Sequence, residues 1–336
     1  MNAIPPAAQD RTERQPLPLR RLGRSRVLVT ELSFGGAAIG NLFTEVTDDD
    51  ARAAIDAAWA GGIRTFDTAP HYGLGLSERR LGEALQDRPR GELVISTKVG
   101  RLLRPAGPPP HGADTEGFAV PARYTREFDF STDAVRRSLD ASLDRLGMDR
   151  VDIALIHDPD EHAEQAFREA YPALEKLRGE GVVGAIGAGM NQAAMLTRFI
   201  TDTDIDVVLV AGRYTLIDQS AAAALLPAAL ERGVSVIAGG VFNSGLLAAP
   251  VRGTTFDYQA APDELIDRAR RLESTCARYG VPLRAAAAQF PLRHPAVASV
   301  LIGARSAAEI TDAITLRNAG VPADLWDALA AAGEVR

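Results

Sequence analysis

Cysteine, tryptophan and clustered basic residues are scarce in this sequence. Its 336 residues include one cysteine and two tryptophans. The single cysteine, Cys276, excludes an internal disulfide framework and any metal site built from several cysteines. The net charge of −7, with arginines scattered among acidic residues, argues against a nucleic-acid or anionic membrane surface. We therefore expect a small-molecule partner, no metal and a reducing, cytoplasmic location.

Long hydrophobic stretches are also missing. No run of about 18 apolar residues is present that could cross a membrane. Residues 1–17 contain prolines and charges but no apolar stretch typical of a signal peptide. We predict a mobile N-terminal tail over residues 1–17 and one domain over residues 18–336, since α/β barrels commonly reach this length.

Short β-branched runs alternate with longer amphipathic runs along the chain, which is typical of βα units and a parallel sheet. Eight such strands, each followed by a helix, predict a (β/α)8 TIM barrel. A doubly wound open sheet is the alternative, but GGAAIGN after the first strand lacks the spacing of a dinucleotide fingerprint. The predicted strands are 32–36, 64–69, 93–99, 151–158, 182–189, 206–212, 234–240 and 299–304.

Four segments depart from the repeated βα pattern. PLRRLGRSRVLVTEL predicts an N-terminal β-hairpin across Gly23 to Arg26 that would close the barrel floor. Residues 100–130 after the third strand, and the segment beginning GGVFNSGLL after the seventh, are too long for ordinary βα loops. Such loops often carry function. The run PLRAAAAQFPLRHP predicts an additional packing helix before the eighth strand.

Few ionisable residues fall at the carboxyl ends of the predicted strands, where barrels of this type build their active sites. Asp67 ends the second strand, Tyr72 follows it within FDTAPHYG, Lys98 ends the third strand and His157 ends the fourth. Taken singly, Lys98 could extend to water, Asp67 could cap a turn and His157 could begin a loop. Together they favour a functional cluster, because buried strand ends accommodate such groups only when they pair.

Several segments, in order, resemble the aldo-keto reductase family: GIRTFDTAPHYGLGLSERRLGEAL, ELVISTKVGRLL, RSLDASLDRLGMDRVDIALIHDPD, EGVVGAIGAGMNQ, GGVFNSGLL and LIGARSAAEI. The resemblance extends from about residue 18 to 320 and points to the branch of aldose 1-dehydrogenases that oxidise L-fucose, D-arabinose and related sugars. Pyridoxal 4-dehydrogenases and plant-type L-galactose dehydrogenases resemble the same pattern. The resemblance implies a barrel that binds NAD or NADP without a Rossmann fold.

The resemblance implies a catalytic tetrad of Asp67, Tyr72, Lys98 and His157. Tyr72 would be the general acid/base, with Lys98 lowering its pKa, Asp67 holding Lys98 charged, and His157 bonding the reacting oxygen. A free phenol has a pKa of about 10, and one ammonium at about 4 Å can supply the roughly three units needed to reach neutrality. His71 is either a substrate contact or a loop residue.

The implied cofactor site departs from the family pattern at the nicotinamide carboxamide. The family's Ser-Asn pair after the fifth strand reads Gly189-Met190-Asn191 here, its glutamine after the sixth is Ala211 or a neighbour, and its aromatic residue after the seventh aligns with Gly239. The predicted cofactor-binding residues are Gly36, Asp67, Gly189, Asn191, Phe242, Asn243, Ser244, Gly245, Gly303, Arg305 and Glu309.

Acidic residues after the eighth strand bear on the choice between NAD and NADP. The carboxylates of Glu309 and Asp312 would repel the 2′-phosphate of NADP, so NAD is predicted as the preferred cofactor. Arg305 could instead pair with that phosphate.

Three other functions fit the same sequence. The tetrad could serve a reductase of aldehydes or ketones, because proton and hydride transfer are reversible. Lys98 could be the nucleophile of a Schiff-base aldolase. The chain could also be a non-catalytic subunit that binds the cofactor. Neither the substrate's identity nor the oligomeric state follows from the sequence.

Overall fold

This computed structural model describes residues 17–107, 112–257 and 259–335, and these residues form fourteen strands. The strands of the central sheet pair in parallel. The fourteen strands are β1 (Leu19–Arg21), β2 (Leu28–Thr30), β3 (Leu32–Gly35), β4 (Thr65–Asp67), β5 (Val94–Val99), β6 (Arg101–Pro105), β7 (Tyr124–Phe128), β8 (Ile153–His157), β9 (Ala185–Met190), β10 (Val207–Ala211), β11 (Ser235–Gly239), β12 (Thr255–Phe256), β13 (Gln259–Ala260) and β14 (Val297–Gly303).

Eight of these strands close into a barrel in the order β3-β4-β5-β8-β9-β10-β11-β14, with β14 paired to β3. All eight strands lie where the sequence predicts them. Their residues are mostly buried, as expected for parallel strands covered by helices outside and packed side chains inside. The predicted (β/α)8 TIM barrel is confirmed, and the closed sheet excludes the doubly wound alternative.

The predicted N-terminal hairpin is confirmed and closes the amino-terminal end of the barrel. β1 and β2 pair antiparallel, and Leu22 and Val29 are fully buried in one cluster with interior strand residues such as Leu155. A Cβ atom at Gly23 would lie 2.2 Å from the carbonyl oxygen of Asp206, so the hairpin can approach the barrel this closely only with glycine there.

Helices surround the barrel and mostly match the predicted runs. Ser131 caps α3 by accepting a hydrogen bond from the Ala134 N–H, and Gly147 ends it in the left-handed conformation. The helices are α1 (Asp48–Ala60), α2 (Leu76–Leu85), α3 (Thr132–Leu146), α4 (Ala163–Gln165), α5 (Tyr171–Gly179), α6 (Ala193–Asp202), α7 (Leu225–Arg232), α8 (Asp263–Arg278), α9 (Leu283–Gln289), α10 (Ala307–Asn318) and α11 (Ala323–Ala331). A π-helical turn, Ala166–Ala170, joins α4 to α5, and short 3-10 helices lie at Ala38–Gly40, Arg90–Glu92, Asp160–His162, Ser220–Ala222 and Phe290–Arg293.

The C-terminal helices differ in detail from the prediction. The run expected to be an additional packing helix forms α9, in which five of seven residues are buried. The longer α8 is amphipathic and packs against α9 and α11. No element was predicted after residue 320, where α11 buries Leu325, Trp326 and Leu329.

The two long connections lie at the carboxyl end of the barrel, as predicted, but each contains its own antiparallel strands. β6 and β7 pair from Arg101↔Phe128 to Pro105↔Tyr124, and the chain between them reaches Leu42 through a bridge at Phe118. β12 pairs with β13 in the second connection. The first connection therefore stands as a hairpin beside the barrel mouth.

The predicted tail, residues 1–17, lies outside the described residues except for Leu17, whose side chain is buried. Within the described ranges, no helix is both long enough and apolar enough to cross a membrane.

Candidate active site

The barrel order brings three predicted catalytic residues to one side of its mouth. β4, β5 and β8 are consecutive strands, and they carry Asp67, Lys98 and His157 at or near their carboxyl ends. Tyr72 follows β4 in the loop above them. The tetrad that the sequence predicts is therefore assembled at the rim where a barrel of this type places its chemistry.

Two glycines fix the position of the loop that carries Tyr72. Gly73 has φ +62°, and a Cβ atom there would lie 2.2 Å from the Gly40 carbonyl oxygen. A Cβ atom at Gly40 would in turn lie 2.9 Å from the Tyr72 carbonyl carbon. The loop after β3 and the loop after β4 thus approach each other closely because neither glycine has a side chain.

Lys98 and Asp67 form a buried ion pair. The Lys98 ammonium donates hydrogen bonds to Asp67 Oδ2 at 2.6 Å and to the Thr68 carbonyl oxygen at 2.9 Å, while Ser96 Oγ donates to Asp67 Oδ1 at 2.7 Å. Burial alone would lower the pKa of Lys98, but the charges and hydrogen bonds of Asp67 and Tyr72 outweigh it and raise that pKa. Lys98 is therefore held as a cation.

Tyr72 lies beside this cation, with the Lys98 ammonium nitrogen 4.7 Å from the centroid of its ring. Burial raises the pKa of Tyr72, and the ammonium of Lys98 only partly opposes it. The lowered pKa that the sequence argument expects is therefore wrong for this structure. The charge of Asp67 opposes that of Lys98 and adds to the effect of burial, so Tyr72 is a protonated phenol at neutral pH.

Two neutral histidines complete the group. The rings of His157 and Tyr72 meet edge to face at 5.8 Å, and His71 meets His157 in the same way at 5.7 Å. Burial, followed by the charge of Arg101, lowers the pKa of His157 well below its usual value and that of His71 to about 2. Among the described residues, the buried Nδ1 atoms of both rings have no hydrogen-bond partner. Each imidazole can therefore bond a ligand without adding charge.

A cavity of about 600 Å³ opens above the tetrad. One wall comes from the β6–β7 hairpin and its connecting segment, which the sequence analysis expected to carry function but in which it named no site residue. The apolar residues Phe118 and Val120, two positions apart, could have indicated from the sequence that this segment packs against the barrel. Both side chains are buried. The lining residues include Leu42, Phe43, His71, Tyr72, Lys98, Arg101, Glu116, Phe118, His157, Asp158, Asp160, Gly189, Met190, Asn191, Gln192, Leu209 and Ala211.

Most predicted cofactor residues lie on the arc of the rim next to the tetrad. β9, β10, β11 and β14 are consecutive, so the loops after them adjoin one another, and these loops carry the segments 190–192, 242–245 and 304–309. Gly189 and Asn191 line the cavity. Gly36 has a packing role, because a Cβ atom there would lie 2.5 Å from Ser77 Oγ and 2.8 Å from the Asp67 carbonyl oxygen.

The residues on this arc fit a nicotinamide dinucleotide. Gly189 lines the cavity beside Lys98, and a Cβ atom added there would lie 3.6 Å from the Lys98 side chain. Asn243 is buried and donates through Nδ2 to the Gly212 carbonyl oxygen at 3.3 Å, while its Oδ1 has no partner among the described residues. The start of α10 after Gly303 gives a helix N-terminus suited to a phosphate group.

The acidic residues near α10 are not equivalent. Glu309 reaches back to accept a hydrogen bond from the Arg305 N–H at 2.7 Å, and Ser306 Oγ accepts from the Glu309 N–H at 3.3 Å. Asp312 instead pairs with Arg284 at 2.5 Å, so it is not the free negative charge that the sequence argument assumed. Any repulsion of a 2′-phosphate therefore rests on Glu309.

The aromatic ring that the family places after its seventh strand is missing at Gly239, and Phe242 follows three residues later. Gly239 is buried in the barrel wall. Tyr214, which follows β10, packs against Phe290 with ring centroids 5.1 Å apart. Arg213 next to it is held by Asp218 and Asp257. Tyr214 and Arg213 are thus both held by other contacts, and neither replaces the ring that is missing at Gly239.

The barrel, the tetrad at its carboxyl rim and the dinucleotide-compatible arc describe a nicotinamide-dependent oxidoreductase. A model of the Aldo/keto reductase family matches residues 31–334, so the chain belongs to that family and is an NAD(P)-dependent oxidoreductase.

Two curated relatives are similar over nearly their whole length. The D-threo-aldose 1-dehydrogenase of a Pseudomonas species is 48% identical over 309 residues, covering 90% of this chain and 94% of the relative. The pyridoxal 4-dehydrogenase of Microbacterium luteolum is 40% identical over 333 residues, covering 94% and 97%. Among solved structures, the holo form of an aldo-keto reductase from Bacillus halodurans superposes with a TM-score of 0.74 at 25% identity, covering 95% and 97% of the two chains.

Proposed function

We propose that the protein is an aldose 1-dehydrogenase that oxidises C1 of L-fucose, D-arabinose or a related sugar to a lactone. The observation that carries the proposal is the assembly of Tyr72, Lys98 and His157 at one end of a 600 Å³ cavity that also exposes carboxylates. Carboxylates and neutral imidazoles suit a substrate rich in hydroxyl groups. The relative that is 48% identical and is named for aldose oxidation supports this substrate class.

In the proposed reaction, His157 and Tyr72 hold the anomeric hydroxyl of the cyclic sugar. A bound NAD or NADP would supply the acceptor for the hydride that leaves C1. Tyr72, as the phenolate, takes the hydroxyl proton while the C1–O bond gains double-bond character, which gives the lactone and the reduced cofactor. Lys98, kept cationic by Asp67, stabilises the phenolate that this step requires.

We propose NAD as the preferred cofactor over NADP. Glu309 caps the start of α10, where its carboxylate would oppose a 2′-phosphate. Arg305 is exposed and has no ion-pair partner among the described residues, which is the feature that favours NADP. For the cofactor we propose contacts from Gly189 and Asn191, from residues 242–245 and from the segment 303–309.

The second candidate function is oxidation of an aromatic hydroxymethyl or aldehyde compound, as in a pyridoxal 4-dehydrogenase. It is favoured by the 40% identity to such an enzyme and by the rings of Phe118, Tyr72 and His71, which lie within 6.1 Å of one another at the cavity. Oxidation of L-galactose and reduction of aldehydes or ketones use the same transfers of a proton and a hydride, and the substrate screen below tests them as well.

The Schiff-base alternative is disfavoured by the state of Lys98. A lysine nucleophile must lose its proton, whereas the Asp67 carboxylate at 2.6 Å keeps this amine charged. The complete tetrad similarly disfavours a non-catalytic subunit. We further propose that residues 18–336 act as a single barrel domain in the cytoplasm.

A substrate screen tests the proposed function. The purified protein is assayed at 340 nm with NAD and with NADP against L-fucose, D-arabinose, L-galactose and pyridoxal, and in reverse with simple aldehydes. We expect the highest kcat/KM for an aldose with NAD. A higher kcat/KM for pyridoxal would favour the second candidate, and turnover only in the reductive direction would overturn both.

A further inference from the structure

We propose that Glu116 is a specificity-determining residue, whose carboxylate accepts hydrogen bonds from sugar hydroxyls away from C1. The inference rests on the proposed aldose substrate and deepens it. Glu116 belongs to the segment between β6 and β7 and lines the same cavity as Tyr72, Lys98 and His157. Its side chain is 44% exposed, so a ligand in the cavity can reach it.

A buried ion pair fixes the turn that carries Glu116. Arg126 on β7 binds Asp114 through two nitrogens, at 2.5 and 3.2 Å, and both side chains are at least 96% buried. The same Asp114 carboxylate accepts hydrogen bonds from the backbone N–H groups of Glu116 and Phe118, each at 3.3 Å. Asp114 and Arg126 are therefore positioning residues for two neighbouring side chains of the cavity wall.

Arg126 also ties this turn to the catalytic loop. Its second terminal nitrogen donates to the carbonyl oxygen of His71 at 3.1 Å, one residue before Tyr72. Arg126 thus connects the cavity wall to the loop that carries Tyr72. A carboxylate mounted on this wall keeps a defined position relative to the hydroxyl of Tyr72, which is what recognition of a distant substrate hydroxyl requires.

The oxygens of Glu116 keep their capacity to accept hydrogen bonds. Oε1 lies 3.5 Å from an Arg126 nitrogen and Oε2 lies 3.7 Å from His71 Nδ1, and both separations are too long for good hydrogen bonds. The Arg126 cation and the neutral ring of His71 therefore lie close to the carboxylate without saturating it. An ionised carboxylate is a stronger acceptor of a sugar hydroxyl than a neutral group is.

The other charged residues at the cavity either form ion pairs or have no contact that fixes their side chains. Lys98 pairs with Asp67, and Arg101 pairs with Asp158 at 2.5 Å. Asp160 is exposed, and no hydrogen bond or ion pair among the described residues fixes its side chain. Among the carboxylates of the described cavity wall, Glu116 therefore stands out, because its turn is fixed by Asp114 and its oxygens can still accept hydrogen bonds.

The test compares Glu116→Gln with Glu127→Gln. Glu127 lies on the same hairpin and pairs with Arg104 away from the cavity, so its substitution is the matched control. Each protein is assayed with NAD and two substrates: the preferred aldose, and 2-hydroxytetrahydropyran, a cyclic hemiacetal that has only the anomeric hydroxyl. In both compounds, oxidation of the anomeric carbon would give a lactone.

We expect Glu116→Gln to lower kcat/KM for the aldose by about tenfold to a hundredfold, the usual effect of losing hydrogen bonds to a charged group. With 2-hydroxytetrahydropyran it should change kcat/KM by less than about twofold, and Glu127→Gln should change neither. An equal loss on both substrates, or no loss on the aldose, would overturn the inference while leaving aldose oxidation established. Failure of the unsubstituted protein to oxidise any aldose would overturn the proposed function, and the role of Glu116 with it.

Discussion

The Lys98 ammonium lies 2.6 Å from the Asp67 carboxylate, with the two side chains only 2% and 4% exposed. Such a pair holds the lysine charged where burial alone would neutralise it. The same arrangement limits how far Lys98 can stabilise a negative charge on Tyr72, since the carboxylate opposes it.

Replacing Asp67 by Asn should disable the site and weaken the fold. Lys98 would remain buried without its countercharge, so we predict a fall in the free energy of unfolding of about 3–5 kcal/mol and in kcat of at least about a hundredfold. Urea unfolding and steady-state kinetics measure the two effects. Asp56→Asn, which breaks the partly exposed pair with Arg88, should cost no more than about 1 kcal/mol. Equal effects of the two substitutions would show that the buried pair has no special role.

The pH dependence should differ between the two directions of the reaction. Oxidation needs the phenolate of Tyr72, and burial raises its pKa above the usual 10.0, so the oxidation rate should still be rising with pH at pH 10. Reduction uses the phenol and should be flat near neutrality. His71 and His157 have pKa values below their usual 6.5 and stay neutral, so neither profile should have an inflection there. An inflection near pH 6.5 would mean that one histidine is charged in the active enzyme.

Gly73 should tolerate no side chain. Its φ of +62° and the 2.2 Å approach of a Cβ atom to the Gly40 carbonyl oxygen mean that Gly73→Ala must move the loop that carries Tyr72. We predict a loss of more than about 1 kcal/mol of stability and a drop in kcat larger than the rise in KM for NAD. Gly320→Ala, which meets nothing within 4 Å, is the control. Unchanged kcat in Gly73→Ala would show that the loop is adaptable.

Cofactor preference should depend on Glu309. Glu309→Gln retains an oxygen that can accept from the Arg305 N–H but removes the charge, so kcat/KM for NADP should rise relative to that for NAD. Glu273→Gln, on the exposed face of α8, should leave the ratio unchanged. A clear preference of the unsubstituted protein for NADP would contradict the role given to Glu309 and favour Arg305 as the phosphate partner.

The sequence predicted the barrel and the placement of the tetrad because both depend on local patterns. Strand runs mark their own carboxyl ends, and the barrel then brings Asp67, Lys98 and His157 together. The wall containing Glu116 was not predictable in this way. It depends on Arg126 meeting Asp114 and the His71 carbonyl oxygen, contacts that exist only once residues 101–128 have formed a hairpin.

The directions of the electrostatic effects were the least predictable property of the site. Lys98 was expected to lower the pKa of Tyr72, but the cost of burying a phenolate exceeds the effect of an ammonium that is already paired. Asp312 was expected to repel a phosphate, yet Arg284, 28 positions earlier in the chain, lies 2.5 Å from it. Both outcomes depend on burial and on partners remote in sequence.

Transfer of the C1 hydrogen tests the proposed chemistry most directly. The protein is incubated with NAD and an aldose deuterated at C1, and the products are analysed by NMR. We predict deuterium at C4 of the reduced nicotinamide, one lactone formed per cofactor reduced, and no transfer by Tyr72→Phe, which should still bind NAD. Deuterium retained in the sugar product, or transfer by Tyr72→Phe within about tenfold of the unsubstituted protein, would contradict oxidation at C1 with Tyr72 as the base.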